Sequence, residues 1–270
     1  VITVTTTKLA GTVRFVAVGG VLSYRALFNW TTPSMYIGTL FGSPIFQLLF
    51  FVYVGRSLGI ADDNFFIVGN AVLAASVAGI FGGTMAVANE RRYGTLANVL
   101  LSTRSRATIF LSRGLPYVFN GILISVVVLF SATLLLDWRL PAGKTAALLL
   151  VLLIGSLSCT AFGLVLGSIG LRLRDVFLIA NVAAAALLFL TGVNVPPARL
   201  PGWIQAVGEW LPLSHAVAAA RDLTTGSGLG QIYPDLLLEV AVATGYTLLA
   251  LGLMRLFEWE GRRSASLDYM

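Results

Sequence analysis

The sequence predicts an all-α membrane protein with six transmembrane helices, an N-terminal interfacial helix, an amphipathic helix after the second span and short re-entrant helices before the last. Three observations carry this. Of 270 residues, 57% are hydrophobic and only 11% charged, where soluble domains carry about 25% charged residues. Charge-free runs such as 64–89 and 114–136 reach the roughly 20 residues a helix needs to cross a bilayer. Lysine and arginine also fall unevenly between the two sides that six spans define.

Taken in order, residues 1–7 are a Thr-rich tail and residues 9–30 are apolar but interrupted by Arg14 and Arg25. Those arginines are three helical turns apart and share a face. The spacing predicts a helix lying in the interface, ended by Pro33. Spans follow at about 35–54, 65–88, 115–136, 145–170, 176–193 and 236–257. The second is dense in small residues, among them Gly69, Ala75, Gly79, Gly82 and Gly83, which lets helices approach closely in lipid. Pro116 is placed in the first turn of the third span, where proline is tolerated. Residues 196–222 differ: Pro196, Pro197 and Pro201 break the chain, and its charge-free pieces, with 223–234, are too short to span. They read as short helices dipping into the interface, with Trp203 and Trp210 at headgroup depth.

Six spans put both termini on one side. Arg56, Arg139, Lys144, Arg199 and Arg221 fall on the other side, and the remaining thirteen of the 18 Lys and Arg on the side of the termini. The positive-inside rule then makes both termini cytoplasmic in a multi-pass protein of the cell membrane. The same rule accounts for the net charge of +6 without nucleic acid. One Cys and one His exclude a zinc site of the usual kind within one chain. No phosphate-binding loop occurs, so ATP-driven work has to enter through a partner. No basic region followed by an apolar one marks a cleaved signal peptide.

The stretch between the second and third spans begins Asn89-Glu90-Arg91-Arg92-Tyr93-Gly94-Thr95-Leu96. Drawn as a helix, 91–102 puts Tyr93, Leu96, Ala97 and Leu100 on one face. Glu90 then suits the positive end of the helix dipole. Gly94 inside the helix costs about 1 kcal/mol relative to Ala, which points to a close neighbour there. A plain basic loop is the other reading of this pattern.

Residues Glu90 to Leu96 resemble the E-R-x-x-G-T-L element of permease subunits of ABC-2-type exporters. The resemblance covers nearly the whole chain, 1–270, as one transmembrane domain. Leu200-Pro201, the run Pro212 to Val217, and Arg221 are similar to the family's paired re-entrant helices. The resemblance implies that 90–103 is a coupling helix seated in a separate ATPase, with Glu90, Arg91, Gly94, Thr95 and Leu96 as docking residues. It also implies two ATPase copies holding ATP and Mg2+, a second permease, identical or sister, and export of a drug, antibiotic, lipid or glycolipid. A glycan-exporting permease of the same family is the alternative.

Other residues bear on the path. Phe46, Phe50 and Tyr53, at roughly helical spacing, either face lipid or touch an amphipathic substrate at a dimer seam. Trp203, Trp210, His215, Arg221 and Glu239 form a candidate extracellular gate. Glu239 is the acid nearest a span; it either binds proton or substrate, pairs with a neighbour such as Arg221, or caps a helix. A proton-coupled transporter needs titratable groups at midplane, and the first five spans offer none. A passive channel differs from an exporter by lacking ATP-dependent flux.

Overall fold

A computed structural model describes residues 18–21, 34, 37–92, 94–95, 106–170, 172 and 175–264. Among the described residues, eight α-helices follow a π turn at Gly38–Gly42: α1 (Ser43–Leu58), α2 (Asp63–Arg92), α3 (Arg106–Leu136), α4 (Thr145–Gly170), α5 (Val176–Leu190), α6 (Gly202–Trp210), α7 (Ser214–Thr224) and α8 (Leu229–Ser264). Within the described residues five of these are long and apolar enough to cross a membrane: α1 with its π turn, α2, α3, α4 and α8. Of the expected interfacial helix only 18–21 are described, and they are helical.

The α2–α4 pair is the centre. Most of α2 and α4 is buried, whereas most of α1 and α8 is not, so α1 and α8 form the outside. Glycine makes the central pair possible. A Cβ on Gly83 would lie 2.4 Å from the Thr160 carbonyl oxygen, and one on Gly167 2.7 Å from that of Thr84. Gly79 and Gly83 on α2, like Gly163 and Gly167 on α4, stand one turn apart, so both backbones come together along a glycine seam. The Thr84 hydroxyl donates to the Gly163 carbonyl across it. On the α3 side, Gly121 meets the Ala75 carbonyl, and the Ser125 hydroxyl donates to that of Ala71 at 2.5 Å. The small-residue run of the second span thus serves helix packing, as expected.

Several boundaries differ from expectation. The fifth span was expected over 176–193, but α5 stops at Leu190. Gly192 takes a left-handed conformation (φ 73°), which ends a helix, and 191–194 continue as a buried non-helical segment. Fifteen residues of helix rise about 22 Å, short of a bilayer's roughly 30 Å hydrocarbon core. Pro116 lies well inside α3 rather than in its first turn. There the helix packs against residues 18–21, and a Cβ on Gly20 would lie 3.2 Å from the Pro116 ring. Residues 229–234, expected with the short helices, belong to α8, which tolerates Pro234 near its start.

Candidate functional site: the Glu90 turn and the α6–α7 bracket

The motif residues Glu90, Arg91 and Arg92 do not start a helix; they finish α2. Gly94 is left-handed (φ 66°), and the Thr95 N–H donates to the Glu90 carbonyl at 2.9 Å. A bond spanning five residues over a left-handed glycine is a Schellman-type helix end. This corrects the expectation for Gly94: no neighbour lies within 4 Å of a Cβ there, and glycine is needed for the backbone angle instead. An amphipathic helix therefore cannot begin at Glu90; its remaining residues, from Leu96 to 103, lie outside the described residues.

Glu90 is correspondingly not at a positive helix end. A carboxylate at the C-terminal end of a helix is disfavoured by the dipole. Its position is explained by its partners. The Glu90 side chain is buried, 6% exposed, and forms an ion pair with Arg113 of α3. The Thr95 hydroxyl donates to Glu90 Oε2 at 2.7 Å. The turn, the end of α2 and the start of α3 are thereby tied at one carboxylate. Arg113 was read only as one more positive charge on its side; nothing local in the sequence pairs it with Glu90.

At the other end of the bundle, α6 and α7 form a bracket. The C-terminal carbonyls of α6 are taken up by the start of α7. The Ser214 hydroxyl donates to the Gly208 carbonyl at 2.6 Å, and His215 Nε2 bonds that of Glu209 at 3.1 Å. The Tyr246 hydroxyl of α8 donates to the Trp210 carbonyl at 3.0 Å. Glu239, also on α8 and fully buried, accepts from the Leu213 N–H at 2.8 Å and the Ala216 N–H at 3.2 Å. Both donors are otherwise orphans of a helix start.

Arg221, near the far end of α7, does not pair with Glu239. Its guanidinium donates to the carbonyls of Gly192, Val193 at 2.7 Å and Phe65 at 3.3 Å. It also stacks over the Phe65 ring at 3.5 Å. Burial pushes its pKa down to about 10, so the group is cationic at neutral pH. The bracket thus fastens to α8 by Glu239 and to α5 and α2 by Arg221.

The gate candidates therefore divide. Glu239 is a buried fastener and Arg221 a half-buried one, whereas Trp203 (69% exposed) and Trp210 (78%) face outward. Trp210 and His215 line a cavity of about 910 Å³ beside α8. Phe46, Phe50 and Tyr53 are exposed together on the outer face of α1. About a quarter turn round the helix stands Gln47, whose side chain donates to Asn70 on α2.

A family model described as ABC-2 type transporter matches residues 20–224. The chain belongs to that family. Among relatives, a probable multidrug ABC transporter permease, YbhR of Escherichia coli (strain K12), is 27% identical over 161 residues, covering 57% of this chain and 42% of YbhR. The probable doxorubicin resistance ABC transporter permease protein DrrC of Mycobacterium tuberculosis (strain ATCC 25618 / H37Rv) is 27% identical over 222 residues, 78% of each chain. The daunorubicin resistance ABC transporter permease protein DrrB1 of Streptomyces coeruleorubidus is 31% identical over 96 residues, 35% of this chain and 34% of DrrB1. The match thus spans about two fifths of YbhR but most of DrrC. An ABC-2 permease is a membrane subunit, in keeping with the apolar helices. The matched region 20–224 takes in the α2–α4 seam, the Glu90 turn and the bracket helices, but stops short of α8.

Proposed function

We propose that this chain is the permease subunit of an ATP-driven exporter, powered by a separate ATPase that works on the turn after α2. The observation that carries the reading is the Glu90 ion pair with Arg113. It ties α3 to the end of α2, the most buried of the described spans, where Thr95 bonds fasten the motif turn to the same carboxylate, so a push on the turn moves the core. Arg91, Gly94, Thr95 and Leu96 then offer the docking surface, and Glu90 passes the displacement inward. ATP and Mg2+ belong to the ATPase, expected in two copies.

In this reading α5 and the buried segment 191–194 together make the fifth of six crossings, α8 being the last, and both termini are cytoplasmic. A second permease, identical or sister, completes the path, and the α6–α7 bracket closes its outer mouth. The substrate is an amphipathic drug-like molecule, of the kind for which the relatives DrrC and DrrB1 are named. The largely apolar lining of the cavities disfavours glycan export, the nearest alternative.

The test is co-purification of the ATPase with this chain, reconstitution of the pair in inverted vesicles, and measurement of doxorubicin uptake. Uptake that requires ATP and is lost in Glu90→Arg is expected. Uptake indifferent to ATP would replace the exporter by a channel or secondary transporter.

A further inference from the structure

We propose that a cavity between α1, α2 and α3 is a binding site for an apolar ring body carrying one hydrogen-bond donor, with Gln47 as the acceptor that selects it. This deepens the exporter reading by naming a substrate chemistry, and rests on that reading only for its role in transport.

The cavity measures about 240 Å³. A dry apolar cavity of about 150 Å³ holds benzene, so this one accommodates two fused rings. Its walls are mainly apolar: Leu73, Val77, Phe81 and Ile124 contribute, and no charged side chain lines it among the described residues. Polar side chains stand at three places: Thr39 and Ser43 around the start of α1, Gln47 and Asn70 between α1 and α2, and Tyr117 and Asn120 on α3.

Gln47 and Asn70 belong to a chain of three amides. Gln47 Nε2 donates to Asn70 Oδ1 at 3.2 Å. Asn70 Nδ2 donates to Asn194 Oδ1 at 2.8 Å and to the Phe66 carbonyl at 2.9 Å. Asn70 and Asn194 are buried, and Asn194 Nδ2 has no partner among the described residues. All the amide dipoles therefore run one way, with a spare donor at the Asn194 end and, among the described residues, a spare acceptor, Gln47 Oε1, at the other. Bonds in such a chain polarise one another, and low dielectric strengthens them. The Gln47 oxygen is thus a better acceptor than an isolated amide. Polar side chains in a membrane interior are costly and mark functional sites. A ligand O–H or N–H placed on Gln47 completes the chain; a ligand with only acceptors gains nothing there.

Equilibrium dialysis with permease nanodiscs on one side and empty nanodiscs of equal lipid on the other cancels partitioning into lipid. The probes are 2-naphthol and 2-methoxynaphthalene, which share a ring body and differ in the donor. Wild-type permease is expected to bind 2-naphthol about tenfold more tightly, the worth of one good hydrogen bond. Gln47→Leu should remove that preference and leave the ether's binding unchanged. Ala78→Phe, which fills the cavity from α2 and leaves the amide chain intact, should abolish both. Equal binding of the two probes by wild type, or an unaltered preference in Gln47→Leu, overturns the proposal, as does full binding in Ala78→Phe. No ATPase is present, so a binding result stands apart from the exporter reading: donor-selective binding without ATP-driven transport would sink that reading alone.

Discussion

Glu239 and Leu213 are joined by a 2.8 Å hydrogen bond across 26 residues of sequence, carboxylate to backbone N–H. With the second bond to Ala216, three residues into α7, the carboxylate performs both tasks of a capping box from a neighbouring helix. It also holds Leu213, which is buried and left-handed (φ 85°), a conformation that costs a non-glycine residue about 1–2 kcal/mol. Glu239→Ala leaves two buried N–H groups unpaired at about 1–3 kcal/mol each. Thermal unfolding of the purified variant should therefore fall well below wild type. Glu239→Gln keeps one acceptor and should lie between. A Glu239→Ala protein as stable as wild type would show that the cap is dispensable.

Arg221 fastens the other end of α7 through three carbonyls and a ring. A lysine keeps the charge but lacks the planar fork that reaches several acceptors at once. Arg221→Lys is expected to lose about 1–3 kcal/mol of stability, the range for charge-assisted hydrogen bonds, measured by denaturation in detergent. Because burial lowers the guanidinium only to about 10, it is fully protonated from about pH 6 to 8. Its contribution is flat there. Above about 10 the folded state binds fewer protons than the unfolded chain, so this group makes stability rise with pH, not fall.

The central seam yields a sharper test of packing. A Cβ on Gly163 would sit 2.4 Å from the Ile80 carbonyl and 3.1 Å from the Gly83 Cα. These are backbone atoms that cannot swing aside. Gly163→Val should therefore prevent assembly of α2 on α4, read as loss of folded protein from the membrane fraction. Gly252→Val, with open space around the α8 glycine, should be tolerated. Equal yields of the two would rule out the close approach.

The long helices were legible because length and lack of charge decide them, and the small residues of the second span announced its packing. The short fifth helix was not: Gly192 ends it through a backbone angle that hydropathy does not see. Glu90 was picked out by resemblance, yet its setting was misread. Sequence periodicity treats 91–102 as one helix, while the stop lies in Gly94, whose left-handed turn lets Thr95 bond Glu90 locally, and the partner that holds the Glu90 carboxylate, Arg113, is tertiary. The partners of Glu239, Arg221 and Asn70 are backbone groups or amides far along the chain, and no spacing rule reports them. Gln47 was passed over because its aromatic neighbour, Phe46, carried the stronger pattern on the adjoining face.

Glu90 and Arg113 supply the test of how the turn works. If the carboxylate were simply a docking group, reversing it would harm coupling whatever stands at 113. If it is the tie between turn and core, charge matters only relative to its partner. Glu90→Arg and Arg113→Glu singly bury like charges together and should each abolish ATP-dependent transport. The double variant restores opposite charges and should recover a measurable part, a coupling of about 1–3 kcal/mol in a double-mutant cycle. Recovery will be incomplete, because Thr95 donates to Glu90 Oε2 and an arginine there has no acceptor to offer it. Thr95→Val in the wild-type background isolates that remainder. Additive losses in the double variant would return Glu90 to the docking surface.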